Sequence, residues 1–362
     1  MRITPAFISL FALALPAHAA KSVSVAQLEQ FFLSQRAQKL SDKEIAERLS
    51  RVDLSQELTS SSLAHILDES SPGPETLQQL QILAAASVLQ PPPPSQLPDE
   101  PAPDQATQTR ILAAARDHAN HSLHVLPDLL AVRETQSFNN RPLDTAKKHQ
   151  KPGIEMHFAG EAHREIAVRK GREVASASLG QGAGLPSGLS SWGEFGAMLA
   201  VIFGDSSDAS MPWKRWQAGD SGNRLAVFTY RVPRSDSHYT VDFCCYRESQ
   251  DDPAEHSFKD QPAYHGEISI DLASGEIVRI TVEAELDESA PMSRSAIAVQ
   301  YGHVMIGGRS YLCPIRSVAV SELYNADMQE NYGIGLERHV NKVEFTHYHK
   351  FGSTSRILTG AN

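Results

Sequence analysis

Two histidines near the end of the chain, His347 and His349, have a spacing that could bring two metal ligands together. Residues i and i+2 of a β-strand point to the same side, so the predicted strand 343–351 would place both imidazoles on the face of Val343 and Phe345. A catalytic zinc site needs three protein ligands with supporting hydrogen bonds. The sequence shows no convincing third ligand, and one such pair among 15 histidines is unsurprising. We therefore interpret both as ordinary strand histidines and predict no metal and no cofactor. A metal-dependent hydrolase remains a hypothesis, ranked third after the two functions given at the end of this subsection.

The three cysteines of the chain are Cys244, Cys245 and Cys313, and they allow one disulfide. Cys245 shares the apolar face of the predicted strand 239–246, whereas Cys244 points to the other side with Asp242. A bridge between Cys245 and Cys313 would restrict the unfolded chain and contribute roughly 4 kcal/mol of stability. A bridge between Cys244 and Cys313 and a set of three free thiols are the alternatives. Nothing around these residues indicates a catalytic thiolate.

One segment between the predicted strands is helical and apolar around most of its circumference. It opens with Ser191-Trp-Gly-Glu194, the pattern of a capping box, so we predict that the helix begins there. A helix without a polar face must be buried, and the hollow of a curved sheet is the best place for it. If its side chains fill that hollow only partly, an acyl chain could lie beside them, since Met repacks easily. The predicted ligand-binding residues are Trp192, Phe195, Met198, Leu199, Ile202 and Phe203.

The clearest sign of the architecture is a long β-hairpin between residues 264 and 286. Apolar and polar side chains alternate on both arms, and a short loop with Gly275 joins them. Such alternation predicts antiparallel strands with one buried face. Because the same pattern recurs strand after strand, the sheet is expected to be antiparallel and not built from βαβ units. The predicted strands are 129–138, 161–170, 172–178, 226–232 with a partner around Trp213 and Trp216, 239–246, 265–272, 277–286, 296–302, 310–321 and 343–351.

The N-terminus, residues 1–19, has the parts of a secretory signal peptide. Met1-Arg2 supplies the basic start, residues 7–15 are apolar, and Ala17-His-Ala19 is a cleavage signal. The apolar run is shorter than the roughly 20 residues that span a bilayer. We therefore predict an exported protein, periplasmic or secreted, whose mature chain has no transmembrane segment.

Three further regions come after the predicted signal peptide. Residues 20–90 have helical periodicity, with a capping box at Ser41–Glu44, and predict a small bundle. This module would either dock an envelope protein or serve only as a structural cap on the rest of the chain. The proline-rich stretch 91–103 predicts a stiff, extended linker and a domain boundary. A helix at 104–122 leads into the sheet, and 104–358 is predicted to be one domain.

The charge balance excludes one class of partner. The net charge is −10, from 43 acidic and 33 basic residues. Nucleic-acid binding depends on clustered Lys and Arg that neutralise phosphates. We therefore predict that the protein does not bind nucleic acid.

The order of these elements resembles a known kind of protein. From about residue 105 to 358 the predicted arrangement resembles the half-barrel of the periplasmic lipoprotein carriers and related lipid-binding envelope proteins. Over residues 22–358, local phrases also resemble an uncharacterised family of exported bacterial proteins. The phrases are LLAVRETQSF (129–138), SWGEFG (191–196), YHGE (264–267), VQYGHV (299–304), YLCPIRSV (311–318) and YHKFGSTSR (348–356). The carrier likeness is one of fold, so it transfers no functional residues.

Together these features predict an α+β protein. Its parts are a small N-terminal helical module, a proline-rich linker and a strongly curved antiparallel sheet, a half-barrel with a helix in its concave face. The leading hypothesis is an exported, non-enzymatic module of the cell envelope that binds an apolar ligand, either a lipid or a lipidated peptide, in the hollow. The alternative is a protein-interaction or structural envelope component whose hollow is simply its filled core.

Overall fold

The computed structural model describes most of the chain outside its first residues. The described residues are 21–38, 40–142, 155–174, 188–189, 191, 193–206, 211–220, 222–246, 254, 256–333 and 335–351. The predicted signal peptide and Trp192 lie outside them, and so do the side chains of Cys244 and Cys245.

Helices dominate the first third of the described residues, and strands dominate afterwards. The helices are α1 (Val25–Gln38), α2 (Asp42–Leu49), α3 (Ser60–Ser70), α4 (Pro74–Ala86), α5 (Gln105–Val125), α6 (Ala197–Asp205) and α7 (Ala326–Tyr332). The strands are β1 (Lys21–Val23), β2 (Val52–Leu54), β3 (Leu129–Asn139), β4 (His157–Arg169), β5 (Arg172–Val174), β6 (Trp213–Ala218), β7 (Arg224–Val232), β8 (Val241–Tyr246), β9 (His256–Asp260), β10 (Ala263–Asp271), β11 (Ile277–Glu285), β12 (Met292–Ile306), β13 (Arg309–Tyr324) and β14 (Leu336–Lys350).

Within the described part of the chain, ten of these strands form one large antiparallel sheet. Its order is β5-β4-β3-β14-β13-β12-β11-β10-β7-β6, so β5 and β6 are its edges and the sheet does not close into a barrel. The prediction of an α+β protein with a large antiparallel sheet is confirmed. The half-barrel curvature stays a prediction.

The hairpin predicted between residues 264 and 286 forms as β10 and β11. Ile268 pairs with Ile280, and both side chains are buried. The loop turns at Gly275, whose φ of 75° favours glycine, and Asp271 accepts the backbone N–H of Ala273 at 2.7 Å. The alternation therefore specifies the register, because a shift of one residue would move the whole apolar row to the opposite face of the sheet.

The sheet is covered on both faces, which we call the α6 face and the α4 face. On the α6 face, α5 and α6 pack against side chains such as Ile280, Ile297 and Val299. On the α4 face, Ile82 and other residues of the α4 region pack against the sheet. The alternation along β12 serves both layers, since Ile297 and Val299 belong to one core and Ala298 to the other.

Helices α1–α4 lie in the region predicted to be an N-terminal helical module and pack around an apolar core of their own. The capping box predicted at Ser41 is confirmed, with Glu44 accepting the Ser41 N–H at 2.8 Å. Next to it, Asp42 caps the neighbouring helix by accepting the N–H groups of Glu75 and Thr76 at 2.9 and 3.1 Å. Burial favours the protonated form, but these bonds outweigh it and lower the pKa of Asp42. The short parallel pair β1–β2 in this module was not predicted.

The proline-rich stretch runs along the folded protein on its way from α4 to α5. Pro101 O accepts the Trp216 indole N–H at 2.9 Å, and Glu100 pairs with Arg224. At the other end, the Gln96 amide donates to Thr59 Oγ1 at 2.5 Å. Contacts at both ends attach this stretch to the module and to the sheet, so it is not a free spacer.

Two predictions about elements are wrong. The predicted strand 239–246 forms as β8, but it pairs with β9 in a separate hairpin and not in the large sheet. The predicted helix start at Ser191 is also wrong, because α6 begins at Ala197. Gly193 and Gly196 have φ values of 92° and 151°, which a right-handed helix does not tolerate.

Candidate functional site

A cavity of about 360 Å³ lies between α6 and the sheet, and we call it the α6 cavity. Met198, Val201 and Ile202 of α6 form one wall, and Val282 and Ile297 of the sheet form the floor. The remaining lining residues are Leu189, Ser191, Ala197, His238, Tyr239, Thr240, Val241, Asp242, Tyr264, Ser295, Ala296 and Ala319. The wall and the floor are apolar, and seven of the other lining residues carry polar groups, so the space suits a ligand with an apolar part and a polar end.

A wider opening of about 1350 Å³, the α6 groove, lies along the neighbouring side of the same helix. Ala197, Ala200, Val201 and Gly204 face it, which is one side of a helix by the i, i+3, i+4, i+7 rule. Charged groups surround it on the other sides: Asp128, Lys170, Arg172, Glu173, Asp205 and Asp236, together with His124 and His238. The groove and the cavity share Ala197, Val201 and His238, so the two spaces adjoin.

His238 stands where the two spaces meet, held by a buried carboxylate. Asp205, the last residue of α6, accepts His238 Nδ1 at 2.6 Å, the His238 backbone N–H at 2.8 Å and the Tyr264 hydroxyl at 2.8 Å. The Asp205 side chain is 3% exposed, whereas that of His238 is 75% exposed. Because a carboxylate only accepts, Nδ1 of a neutral His238 must carry the proton, and Nε2 is left as an acceptor toward solvent. Burial and the Asp205 carboxylate both raise the pKa of Tyr264.

A buried cluster of charges, the acid cluster, joins the segment before α6 to the sheet. Arg133 of β3 donates from Nη2 to Glu194 Oε2 at 2.7 Å and from Nη1 to the Ser191 carbonyl at 2.6 Å. Glu194 also accepts the hydroxyls of Ser191 and, at 3.1 Å, Ser317. Glu173 of β5 accepts the Gly193 N–H at 3.1 Å. This network explains why Ser191 and Glu194 do not cap α6: both side chains are used elsewhere.

The acid cluster holds two carboxyl groups for one guanidinium. The side chains of Glu194 and Glu173 are 0% and 1% exposed, and Arg133 Nη2 lies 2.7 Å from the first and 3.9 Å from the second. Burial, followed by the charge of Glu194, raises the pKa of Glu173 to about 7. Two carboxylates this close cannot both ionise easily, so they tend to share a proton. Among the described residues no donor faces Glu173 Oε2, so this oxygen can itself carry the proton and donate it to Glu194.

The structure brings only some of the predicted ligand-binding residues to the cavity. Met198 and Ile202 line it. Leu199 packs in the core of the α6 face, Phe195 packs on Phe345 at 5.4 Å, and Phe203 lies under the Arg116 guanidinium. Trp192 lies outside the described residues.

The two candidate metal ligands do not share the predicted face. A β-bulge between Thr346 and His349 breaks the alternation, and His347 has a φ of 51°. As a result Tyr348, and not His347, packs on the side of Phe345 and contacts Phe195 at 6.1 Å. Both imidazoles are exposed. In the part of the chain that the structure describes, no group of three or more His, Cys, Asp or Glu side chains could hold a metal ion.

The Cys313 side chain is buried in an apolar core with Phe195, Val343 and Phe345, and burial raises the pKa of its thiol to about 12. The side chains of Cys244 and Cys245 are not described, so the Cys245–Cys313 bridge stays a prediction. Phe243, the residue before Cys244, packs with Leu323. Leu323 lies ten residues further along β13 than Cys313.

Sequence reasoning missed Asp205 and His238 and the acid cluster. Asp205 and His238 are 33 positions apart, and Arg133 and Glu194 are 61 apart, so no local pattern joins them. One signal was available. Arg133 shares the inward row of β3 with the buried Leu129 and Ala131, and a charge in such a row needs a buried partner.

Comparison of the chain with protein-family models, with curated proteins and with solved structures gives no match. Among the described helices, none is long and apolar enough to cross a membrane.

Proposed function

We propose that this protein binds an apolar chain, such as the acyl chain of a lipid or a lipidated peptide, in the α6 cavity. The observation that carries the proposal is the space of about 360 Å³ between Met198, Ile202 and the sheet. Small-molecule sites occupy roughly 300–1,000 Å³ and are mostly apolar with a few placed polar groups. The polar end of the ligand would lie near His238, where the cavity meets the open groove.

The rest of the proposal concerns where the protein works. Residues 1–19 support export to the cell envelope, in the periplasm or outside the cell. The likeness to the lipoprotein-carrier half-barrel supports the same class of ligand at the level of fold alone. The protein acts in this proposal as a binding module without catalysis.

The test is a titration with dansyl-undecanoic acid, whose fluorescence rises in an apolar site. Val201→Phe places a larger side chain in the α6 cavity from a partly buried position and should weaken binding at least about tenfold, since one ring occupies much of the space. Ala200→Phe is the matched control: Ala200 is exposed and faces the groove only, so its affinity should stay within about twofold.

Equal affinity for both variants and the wild type would refute the α6 cavity as the site. Native mass spectrometry of protein purified from its own host provides a second readout, because a co-purified acylated molecule would add its mass to the wild type and not to Val201→Phe.

A second candidate function is docking of an envelope protein on the helical module. It is favoured by Leu33, which is 53% exposed beside the buried Phe32 on α1. Scattered exposed apolar residues are normal, however, so this single side chain ranks below the cavity. Leu33→Asp should abolish co-purification of a partner and leave acyl-probe binding unchanged.

A further inference from the structure

The segment 193–196 connects residues that line the two spaces beside α6, and its Gly196 lines the groove. Ala197, which comes directly after it, lines both the cavity and the groove, and Ser191, which precedes it, lines the cavity. A helix that begins after such a segment moves with it. The contacts that hold this segment against the sheet therefore control access to the cavity.

The polar contacts come from the acid cluster and from Tyr301, and the buried Phe195 adds packing on Phe345 and Tyr348. The Tyr301 hydroxyl donates to the Glu194 carbonyl at 3.2 Å, and Glu194 is in turn fixed by Arg133 and Ser317. Glu173 anchors the Gly193 N–H from the opposite side. Of the residues in the acid cluster, Glu173 lies on the least supported strand. Among the described residues, β5 has three residues, pairs with β4 alone and forms an edge of the sheet.

The number of protons in the cluster sets its charge. With one shared proton, Arg133 balances the one remaining carboxylate and the cluster is neutral. When that proton leaves to solvent through the groove that Glu173 lines, two carboxylates face one guanidinium in a buried place. A buried unpaired charge is strongly unfavourable. The smallest movement that separates the two carboxylates is a rotation of the Glu173 side chain into the groove. This rotation breaks the hydrogen bond between Glu173 and the Gly193 N–H.

We propose that the shared proton of Glu173 and Glu194 keeps the Gly193 end of the segment 193–196 closed on the sheet, and that its loss loosens this end and widens the entrance of the α6 cavity for its ligand. This inference rests on the proposed function for the nature of the ligand. It makes ligand entry faster as the pH rises towards neutrality and independent of pH above the Glu173 pKa of about 7, which burial raises.

Other charged and titratable groups face Glu173 from the surrounding elements, and none supplies the missing positive charge. Tyr301 and Tyr348 have pKa values that burial raises, so they stay neutral through this range, and so does the buried thiol of Cys313. Lys170, Arg172, His124, Asp128, Asp205 and Asp236 line the groove, and no ion pair between any of them and Glu173 is seen among the described residues. The response should thus belong to the two carboxyl groups.

The experiment measures hydrogen exchange of the peptides covering 193–205, corrected for intrinsic rates, from about pH 5.5 to about pH 8.5, a range that brackets the Glu173 pKa. In the wild type, protection should fall by up to tenfold per pH unit as the pH rises towards the Glu173 pKa of about 7 and level off above it, because opening releases a proton only while the closed cluster still holds one. The association rate of dansyl-undecanoic acid, measured by stopped flow, should rise in parallel.

Glu173→Gln keeps the size and hydrogen bonds of the protonated side chain but cannot ionise, so both quantities should become independent of pH. Glu165→Gln removes an exposed carboxylate on the neighbouring strand and should behave as wild type. If Glu173→Gln does not fold, a carboxyl-carbon NMR titration of the wild type decides: a glutamate that titrates near neutrality supports the proposal, and its absence overturns it.

The two proposals fail in different ways. Exchange that is insensitive to pH, or equally sensitive in Glu173→Gln, overturns the proton switch even when the probe binds. Failure of the probe to bind at any pH, with exchange still dependent on pH and on Glu173, overturns the apolar ligand and retains the switch.

Discussion

At the scale of single residues, the chain holds its buried charges in two opposite ways. Glu173 is buried and lies beside a second carboxyl group, Glu194, with one guanidinium for both. Burial and the Glu194 charge therefore favour the protonated form of Glu173. Glu337 has the reverse surroundings: His339 Nε2 lies 2.5 Å away, Asn325 Nδ2 donates at 2.5 Å, and Arg141 also donates. Burial works against ionisation there too, but these partners outweigh it and lower the pKa of Glu337 to about 2. The first arrangement responds to pH near neutrality, and the second fixes a charge.

The Glu337 site makes a prediction for acid stability. A carboxyl group with a lowered pKa stabilises the folded state above its unfolded pKa, and loses this contribution as the pH falls through its folded pKa. From an ordinary value of 4.5 to about 2, Glu337 should contribute on the order of 3 kcal/mol at neutral pH. Urea unfolding should show that Glu337→Gln loses this amount near neutrality and progressively less in acid.

Glu330→Gln, on the exposed side of α7, is the control for this comparison. It should match the wild type at every pH. A Glu337→Gln deficit that stays constant into strong acid would show that packing, and not ionisation, explains the loss.

At the scale of elements, strands were predictable where one face is buried along their whole length. β10 and β11 match the alternation within two residues, because every second side chain there enters a core. β9 was missed because its residues His256–Asp260 are only partly buried or exposed, so no apolar row marks it. The start of α6 was misplaced because the sequence of a capping box does not show that its Glu is needed by an arginine 61 positions away. Local sequence patterns thus predict individual helices and strands. Contacts between residues far apart in the chain decide whether a local pattern, such as this capping box, forms.

The glycines around α6 give a test at this scale. Gly193 has a φ of 92°, and a Cβ there would lie 3.0 Å from the Ala197 Cβ, so Gly193→Ala should cost about 1–3 kcal/mol of stability and shift the segment before α6. Gly204 lies inside α6, and a Cβ there meets nothing within 4 Å, so Gly204→Ala should stabilise by roughly 0.5–1 kcal/mol. Thermal unfolding of both variants should move in opposite directions. A common direction would contradict the assigned helix start.

At the scale of the whole molecule, the helical module and the sheet share a core. Ile82 and Val88 pack with Phe138, Val318 and Val340 on the α4 face, and Arg279 of the sheet donates to the Val88 carbonyl. Arg279 also lies 3.5 Å from the buried Glu57, whose pKa burial raises. The proline-rich stretch adds contacts at both of its ends. A compositional boundary at residues 91–103 thus joins two parts that bury each other's apolar surface.

This shared core predicts that the protein unfolds in a single transition. Ile82→Ala removes a side chain at the contact of α4 with the sheet, and Ile66→Ala removes one from the module's own core. Each should cost about 2–5 kcal/mol, because both sites are fully buried. If the two parts fold as one unit, calorimetry should show one peak in the wild type, shifted to lower temperature by both substitutions. If instead Ile66→Ala splits off an early transition while the sheet melts at its original temperature, the module is an independent domain and the shared core contributes little to the cooperativity of the fold.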